Sequence, residues 1–233
     1  VVAAAVPGSA RGEALDYLGV PPASCATIST AADSHFVAGE PAPDVAAALR
    51  QRYGLARPSL MYTGGIDHRK NIEGLIRAYA LLPADLRQQH QLAIVCSVEP
   101  AARASLTALA RAAGLRSGEM VLTGFVPEAD LLHLYQLCKA FVFPSWHEGF
   151  GLPALEAMSC GRAVIAANTS SLPEVIGRAD ALFDPHSEAD MAAKIAQVLG
   201  DGAFRADLEQ YGLERARTFS WDASAGKALA ALE

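Results

Sequence analysis

Long apolar runs are missing from these 233 residues. No stretch approaches the roughly 18 apolar residues of a membrane-spanning helix, and no basic-then-apolar leader opens the chain, so neither a transmembrane segment nor a secretory signal is expected. Paired cysteines are missing too. Cys25, Cys96, Cys138 and Cys160 are scattered, form no Cys-x-x-Cys, and have no histidine at ligand spacing, which argues against a structural metal site and for reduced thiols in a cytoplasmic protein. Positive charge is in deficit: 19 Lys and Arg stand against 25 Asp and Glu, a net charge of −6. Such a chain has no general attraction for nucleic acid or an anionic membrane, so any anion site must be local. What is present is ample apolar material, 52% hydrophobic against 19% charged residues, enough to bury a sizeable core.

From about Ser59 onward, short β-rich apolar runs at 60–63, 92–96, 120–123, 140–143, 163–166 and 181–183 alternate with helical patterns beginning near Asn71, Pro100, Pro127, Pro153 and Leu172. This alternation predicts an α/β, Rossmann-like, doubly wound parallel sheet of about six strands with helices on both faces. Residues 41–233 are assigned to that domain, with three helical stretches after Ser187 broken at Gly200-Asp201 and Phe219-Ser220-Trp221. Residues 1–40 read as a linker and the remnant of a preceding domain. They carry a strand in the apolar run 1–6, a short helix ending at Leu18-Gly19 and a strand near 26–29.

The chemistry concentrates in residues 144–161, which follow the 140–143 strand and so sit at a strand's carboxyl end, where open α/β sheets bind ligands. Gly149 and Gly151 remove side chains beside a helix that starts at Pro153, whose first amides lack intrahelical partners and suit a phosphate. Glu148 and Glu156, the latter placed in the helix's first turn, flank the same spot. A phosphate would repel carboxylates aimed at it, so both are expected to accept hydrogen bonds from neutral hydroxyls. A tight turn with one solvated and one dipole-complementing glutamate is the plainer reading of the same residues.

The string Glu148-Gly-Phe-Gly-Leu-Pro-Ala-Leu-Glu156 resembles the glutamate, seven residues, glutamate signature of the family 4 (group 1) retaining glycosyltransferases of GT-B fold. Tyr62-Thr-Gly-Gly-Ile-Asp-His-Arg-Lys-Asn71, Leu122-Thr-Gly-Phe-Val-Pro127, Ser170-Ser-Leu-Pro-Glu-Val175 and Phe219-Ser-Trp221 extend the resemblance over roughly residues 15–225. It implies that Glu148 contacts the transferred sugar, Glu156 the donor ribose and Lys70 the donor diphosphate, with Glu148 and Lys70 as the catalytic pair. Gly65, Arg69, Phe125, Val126, Gly149, Phe150, Gly151 and Leu152 complete the implied donor site.

Two positions depart from the family pattern. Gly65 stands where an arginine is common, with Arg69 as the substitute, and Cys96-Ser97 end a strand that usually ends in glycines. A basic pair at the start of the Asn71 helix faces a positive dipole end and needs a compensating anion, which the diphosphate would supply. Phe125-Val126 resemble a turn whose backbone reads the nucleobase, and serve equally well as a hydrophobic staple. His147 is assigned a positioning or solvent role, and Glu174 a helix-dipole role.

The resemblance further implies a nucleotide diphosphate-sugar as substrate, with GDP-mannose the first choice from the 64–71 loop, and neither cofactor nor metal, in keeping with the lack of an Asp-x-Asp. The acceptor would bind an N-terminal domain, leaving the isolated chain inactive. The full enzyme would work in the cytoplasm, peripherally at the inner face of the membrane, in polysaccharide or lipopolysaccharide assembly. Two alternatives stand beside it: a dinucleotide-binding oxidoreductase domain, weakened by the lack of Gly-x-Gly-x-x-Gly, and a non-catalytic nucleotide-binding or interaction domain.

Overall fold

Apolar runs of three to five residues are too short to bury a helical face but suffice as strands covered on both sides. In the computed structural model, which describes residues 3–5 and 8–232, the chain opens with β1 (Ala3–Ala5), α1 (Gly8–Leu18) and β2 (Cys25–Thr27). β1 and β2 pair in parallel as a separate two-stranded sheet. The remaining positions of the 1–6 run lie outside the described residues. Next come α2 (Pro43–Tyr53), β3 (Ser59–Thr63), α3 (Ile72–Ala80), α4 (Ala84–Gln89), β4 (Gln91–Val95), α5 (Pro100–Ala112), β5 (Met120–Leu122) and α6 (Glu128–Leu137). β6 (Ala140–Phe143), α7 (Leu152–Ser159), β7 (Val164–Ala167), α8 (Leu172–Ile176) and β8 (Leu182–Phe183) follow, and α9 (Glu188–Gly200), α10 (Gly202–Ala216) and α11 (Trp221–Leu232) close the chain.

β3 to β8 form one six-stranded parallel sheet in the order β5-β4-β3-β6-β7-β8. Leu60, Tyr62, Leu92, Ile94, Phe141, Val142, Phe143 and Ile165 are fully buried in it. α3 packs with α5 and α9, while α7 packs with α6 and α10, giving the helix layers of the expected α/β fold. The strand order reverses between β3 and β6. Their carboxyl ends therefore diverge into a crevice, the place where a doubly wound sheet takes its ligand.

Two helices occupy segments where the sequence pattern assigns none. α2 begins with Pro43 and ends at left-handed Gly54, a proper start and stop, but its alanine-rich body buries only Ala46, Leu49 and Tyr53. α4 is six residues long and buries none of them, so it leaves no apolar period to detect.

Asn71 ties the crevice together. It is 4% exposed, left-handed at φ 54°, and its amide nitrogen donates to the carbonyls of Pro144 and Pro185, each at 3.1 Å. The loops after β3, β6 and β8 thus share one side chain. Gly74, one turn into α3, makes room for it: a β-carbon there would collide with Asn71 Oδ1. Gly→Ala inside a helix ordinarily stabilises by about 0.5–1 kcal/mol. Gly74→Ala should instead destabilise by about 1–3 kcal/mol through overpacking and loss of the Asn71 bonds. A fall in the denaturant midpoint is the expected result, and a rise would refute this account of Asn71.

Candidate functional site

The loop after β3 is shaped from below by Tyr62, whose buried hydroxyl donates to Gly65 O at 2.7 Å. Gly64 passes so close, at φ 142°, that a β-carbon would sit 2.7 Å from the Tyr62 oxygen. The loop then makes a short turn over His68–Lys70, capped by the Asp67 carboxylate accepting from Arg69 N. The loop after β6 is hung on this turn, because Trp146 N–H donates to Arg69 O at 2.8 Å. Lys70 and Glu148, 78 residues apart in sequence, are brought into an ion pair of 2.7 Å with side chains only 15% and 10% exposed. The Lys70 ammonium also lies 5.8 Å from the Phe143 ring centroid.

This pairing corrects the charge argument drawn from sequence. Arg69 and Lys70 need no external anion, because Glu148 neutralises Lys70 and Asp67 pairs with Arg69 at 3.0 Å. The Arg69 pair is exposed and of little energetic weight. Glu148 accordingly points at a cation and not at a neutral hydroxyl.

The amides of Gly149, Phe150, Gly151 and Leu152 have no acceptor among the described residues. They lead into α7, so the positive end of its dipole and a row of free N–H groups face the same crevice. The two glycines differ in purpose. A β-carbon on Gly149 would meet open space, whereas Gly151 is left-handed at φ 101° and a β-carbon there would press on Leu172 at 2.7 Å. Gly151 thus answers to backbone conformation and packing. Phe150 turns its ring inward, edge-on to Phe219 at 5.7 Å, so only its backbone can face a ligand; Leu152 is half exposed at 37%.

Glu156 lies one residue deeper in the helix than the sequence reading placed it, just past the first turn, because α7 already begins at Leu152 directly after Gly151. One carboxylate oxygen accepts from the buried Tyr135 hydroxyl at 2.8 Å. Burial raises its pKa above the ordinary glutamate value, and the Tyr135 bond opposes that rise. Phe125 is 75% exposed and so is no staple; Val126, beside it, packs on the core. His147 meets Glu13 of α1 at 2.7 Å, and Glu174 accepts from Gly8 N. The Cys96 thiol, at the end of β4, is pushed up to about 11 by burial.

A cavity of 340 Å³ lies beside this crevice, between the β3 loop and helices α3 and α5, and includes Asp67, Asn71 and Trp146 but neither Lys70 nor the two signature glutamates. Lys70 and Glu148 lie outside this cavity, on the loops that follow β3 and β6 at the sheet's switch point. No described residues form a cluster of three or more His, Cys, Asp or Glu able to hold a metal. No described helix is long and apolar enough to cross a membrane.

The model of the family described as "Glycosyl transferases group 1" matches residues 48–215, which include every element from β3 to β8. The chain belongs to the group 1 glycosyl transferases. Serotype-specific mannosyltransferase WbdA of Escherichia coli is 40% identical over 217 residues, covering 93% of this chain and 27% of that protein. O-antigen chain mannosyltransferase B of Escherichia coli is 38% identical over 213 residues, covering 91% of this chain and 55% of that protein. The chain therefore spans about a quarter and just over half of these two curated relatives. Among solved structures, Anabaena Alr3699/HepE in complex with UDP and glucose superposes with a TM-score of 0.84 at 20% identity, over 99% of this chain and 62% of that one. The GT-B half expected from the signature is thus the fold this glycosyl transferase adopts, and the oxidoreductase alternative falls.

Tyr62, Asn71, Tyr135 and the hydroxyls of residues 169–171 shape the site without having been singled out individually. Tyr62 and Tyr135 are core aromatics whose hydroxyls alone reach the site's loops and Glu156. Because folding raises the pKa of Glu156, the folded state holds its proton more tightly than the unfolded chain. Ionising it therefore costs stability, a cost absent at low pH that grows as pH rises through and above about 4.3, the ordinary glutamate value. Glu156→Gln keeps an acceptor for Tyr135 and removes the charge. In urea titrations it should match wild type near pH 4, the acid side of the ordinary value of about 4.3, and exceed it at neutral pH. A variant less stable than wild type at neutral pH would show that the Tyr135 bond outweighs burial.

Proposed function

We propose that this domain holds the nucleotide diphosphate-sugar donor of a retaining glycosyltransferase that assembles O-antigen or a related polysaccharide, with GDP-mannose as donor. The carrying observation is the Lys70–Glu148 pair at the switch point, 2.7 Å apart and set beside the free amides that lead into α7. Two relatives named as mannosyltransferases support the sugar, and the Anabaena protein's UDP-glucose complex supports a nucleotide-sugar ligand on this fold.

In this reading the diphosphate docks on the amides of Gly149 to Leu152 and draws Lys70 away from Glu148. Lys70 and the α7 dipole then stabilise the negative charge that develops on the leaving diphosphate. Glu148, released from its cation, accepts from a hydroxyl of the sugar, and the second oxygen of Glu156 accepts from the ribose. Gly65, Arg69, Phe125 and Val126 border the donor through their exposed backbone and side chains. Transfer proceeds on the front face: the acceptor hydroxyl attacks the anomeric carbon as the diphosphate leaves, and a diphosphate oxygen takes the acceptor proton. Configuration is retained without a protein nucleophile, and no metal or cofactor is used. Residues 41–233 form the donor-binding half and residues 1–40 the passage to an acceptor-binding domain, so this chain binds donor without turning it over. The full enzyme works from the cytoplasm at the inner face of the membrane.

Calorimetric titration with GDP-mannose and UDP-glucose tests the donor site. Binding by folded wild type is expected, with Lys70→Ala weakening it tenfold or more, about 1.4 kcal/mol. Folded wild-type protein that binds neither ligand would sink the donor-site reading. A Lys70→Ala variant that binds GDP as tightly as wild type would remove Lys70 from the diphosphate.

A further inference from the structure

Three consecutive hydroxyls between β7 and α8 grip the Glu148 loop through its backbone. Thr169 Oγ1 donates to Trp146 O at 3.1 Å. Ser170 Oγ accepts from Glu148 N–H at 2.9 Å. Ser171 Oγ lies 2.9 Å from both Glu148 O and Phe150 O and shares its single proton between them. The held residues alternate, 146, 148 and 150, so both polar groups of the Glu148 main chain are engaged.

The gripping turn is itself anchored. Asn168 N donates to Phe183 O at 2.7 Å, and the Ser171 carbonyl accepts from Glu174 N and Val175 N at the start of α8. Ser171 is completely buried. Ser170 adopts a left-handed φ of 48°, which it shares with Asn71 alone among the described non-glycine residues. A serine in that conformation costs backbone energy, and such cost is retained where the surroundings over-determine the geometry. Glycine would relieve it but would lack the oxygen that meets Glu148 N–H.

We propose that Ser170 and Ser171 are positioning residues for Glu148, fixing its main chain so that, when donor binding draws Lys70 away, the Glu148 carboxylate stays in the crevice and takes the sugar as its partner. The proposal rests on the donor-site reading above. It assigns a role to the Ser170-Ser-Leu-Pro-Glu-Val175 motif that charge chemistry leaves unexplained. A mobile main chain at Glu148 would let the carboxylate follow Lys70 as the diphosphate draws the lysine away. A fixed one leaves the carboxylate aimed into the crevice, with the sugar hydroxyl as its partner.

The test is ligand selectivity. Affinities for GDP and GDP-mannose, with UDP and UDP-glucose as the second pair, are measured on wild type, Glu148→Gln, Ser170→Gly and Ser170→Ala, together with the melting temperature of each. In Ser170→Gly the affinity for the nucleotide diphosphate stays within twofold of wild type. Its ratio of sugar-nucleotide to nucleotide affinity shifts fivefold or more, in the direction of Glu148→Gln, and its melting temperature is equal or higher because glycine suits the left-handed backbone. Adding Ser170→Gly to Glu148→Gln produces no further shift. An unchanged ratio in both Ser170 variants, or a common loss of melting temperature and of both affinities, assigns Ser170 to structure alone and overturns the proposal. Wild type that binds none of the four ligands removes the donor-site reading itself, an outcome visible before any variant is made.

Discussion

The two hydrogen bonds from the Asn71 amide to Pro144 O and Pro185 O are the constraint on which the site depends. A doubly wound sheet leaves its loops diverging at the switch point, which opens a crevice but also separates the side chains meant to act together. One buried amide closes that gap. With the Trp146 N–H to Arg69 O bond it holds the β3 and β6 loops in register, and Lys70 and Glu148 follow because they flank these anchors. The arrangement demands a left-handed Asn71 and a glycine at 74, both of which run against ordinary helix preference and are repaid by burial of three satisfied polar groups.

Electrostatics at the crevice are local and internally balanced. The chain is acidic overall, yet free amides, a helix N-terminus and one lysine create a region suited to an anion. Left alone, a largely buried lysine would carry a desolvation cost, and Glu148 offsets it. The same pair keeps Glu148 from standing as an uncompensated buried carboxylate. Glu156 follows a different course: among the described residues it has no salt bridge to a lysine or arginine, one oxygen rests on the Tyr135 hydroxyl, and burial raises its pKa. Two glutamates of one signature thus sit in unlike environments, one bound to a charge and one to a neutral hydroxyl.

Much of the architecture was legible because parallel strands buried on both faces write themselves as short continuous apolar runs. The six runs read from sequence fall on β3 to β8 within a residue or two at each end. α2 and α4 were not legible, since an alanine-rich helix and a six-residue helix present no apolar period. Glu148, Glu156 and Lys70 stood out through motif spacing, and membership in the group 1 glycosyl transferases agrees with that signature. The inward turn of the Phe150 ring and the contact that makes position 151 a glycine were not legible, because the same letters serve a turn, a core contact or a ligand.

By itself, then, the sequence determined the layer architecture, the position of the crevice and the residue types around it, all of which follow from local hydrophobic period and from turn chemistry at strand ends. Only the tertiary structure decided who pairs with whom. The Lys70–Glu148 pair joins positions 78 residues apart, and the Tyr135–Glu156 and Ser170–Glu148 contacts join positions 21 and 22 apart on different elements. Such bonds depend on the relative placement of loops set by sheet order, a long-range property that no window of sequence contains.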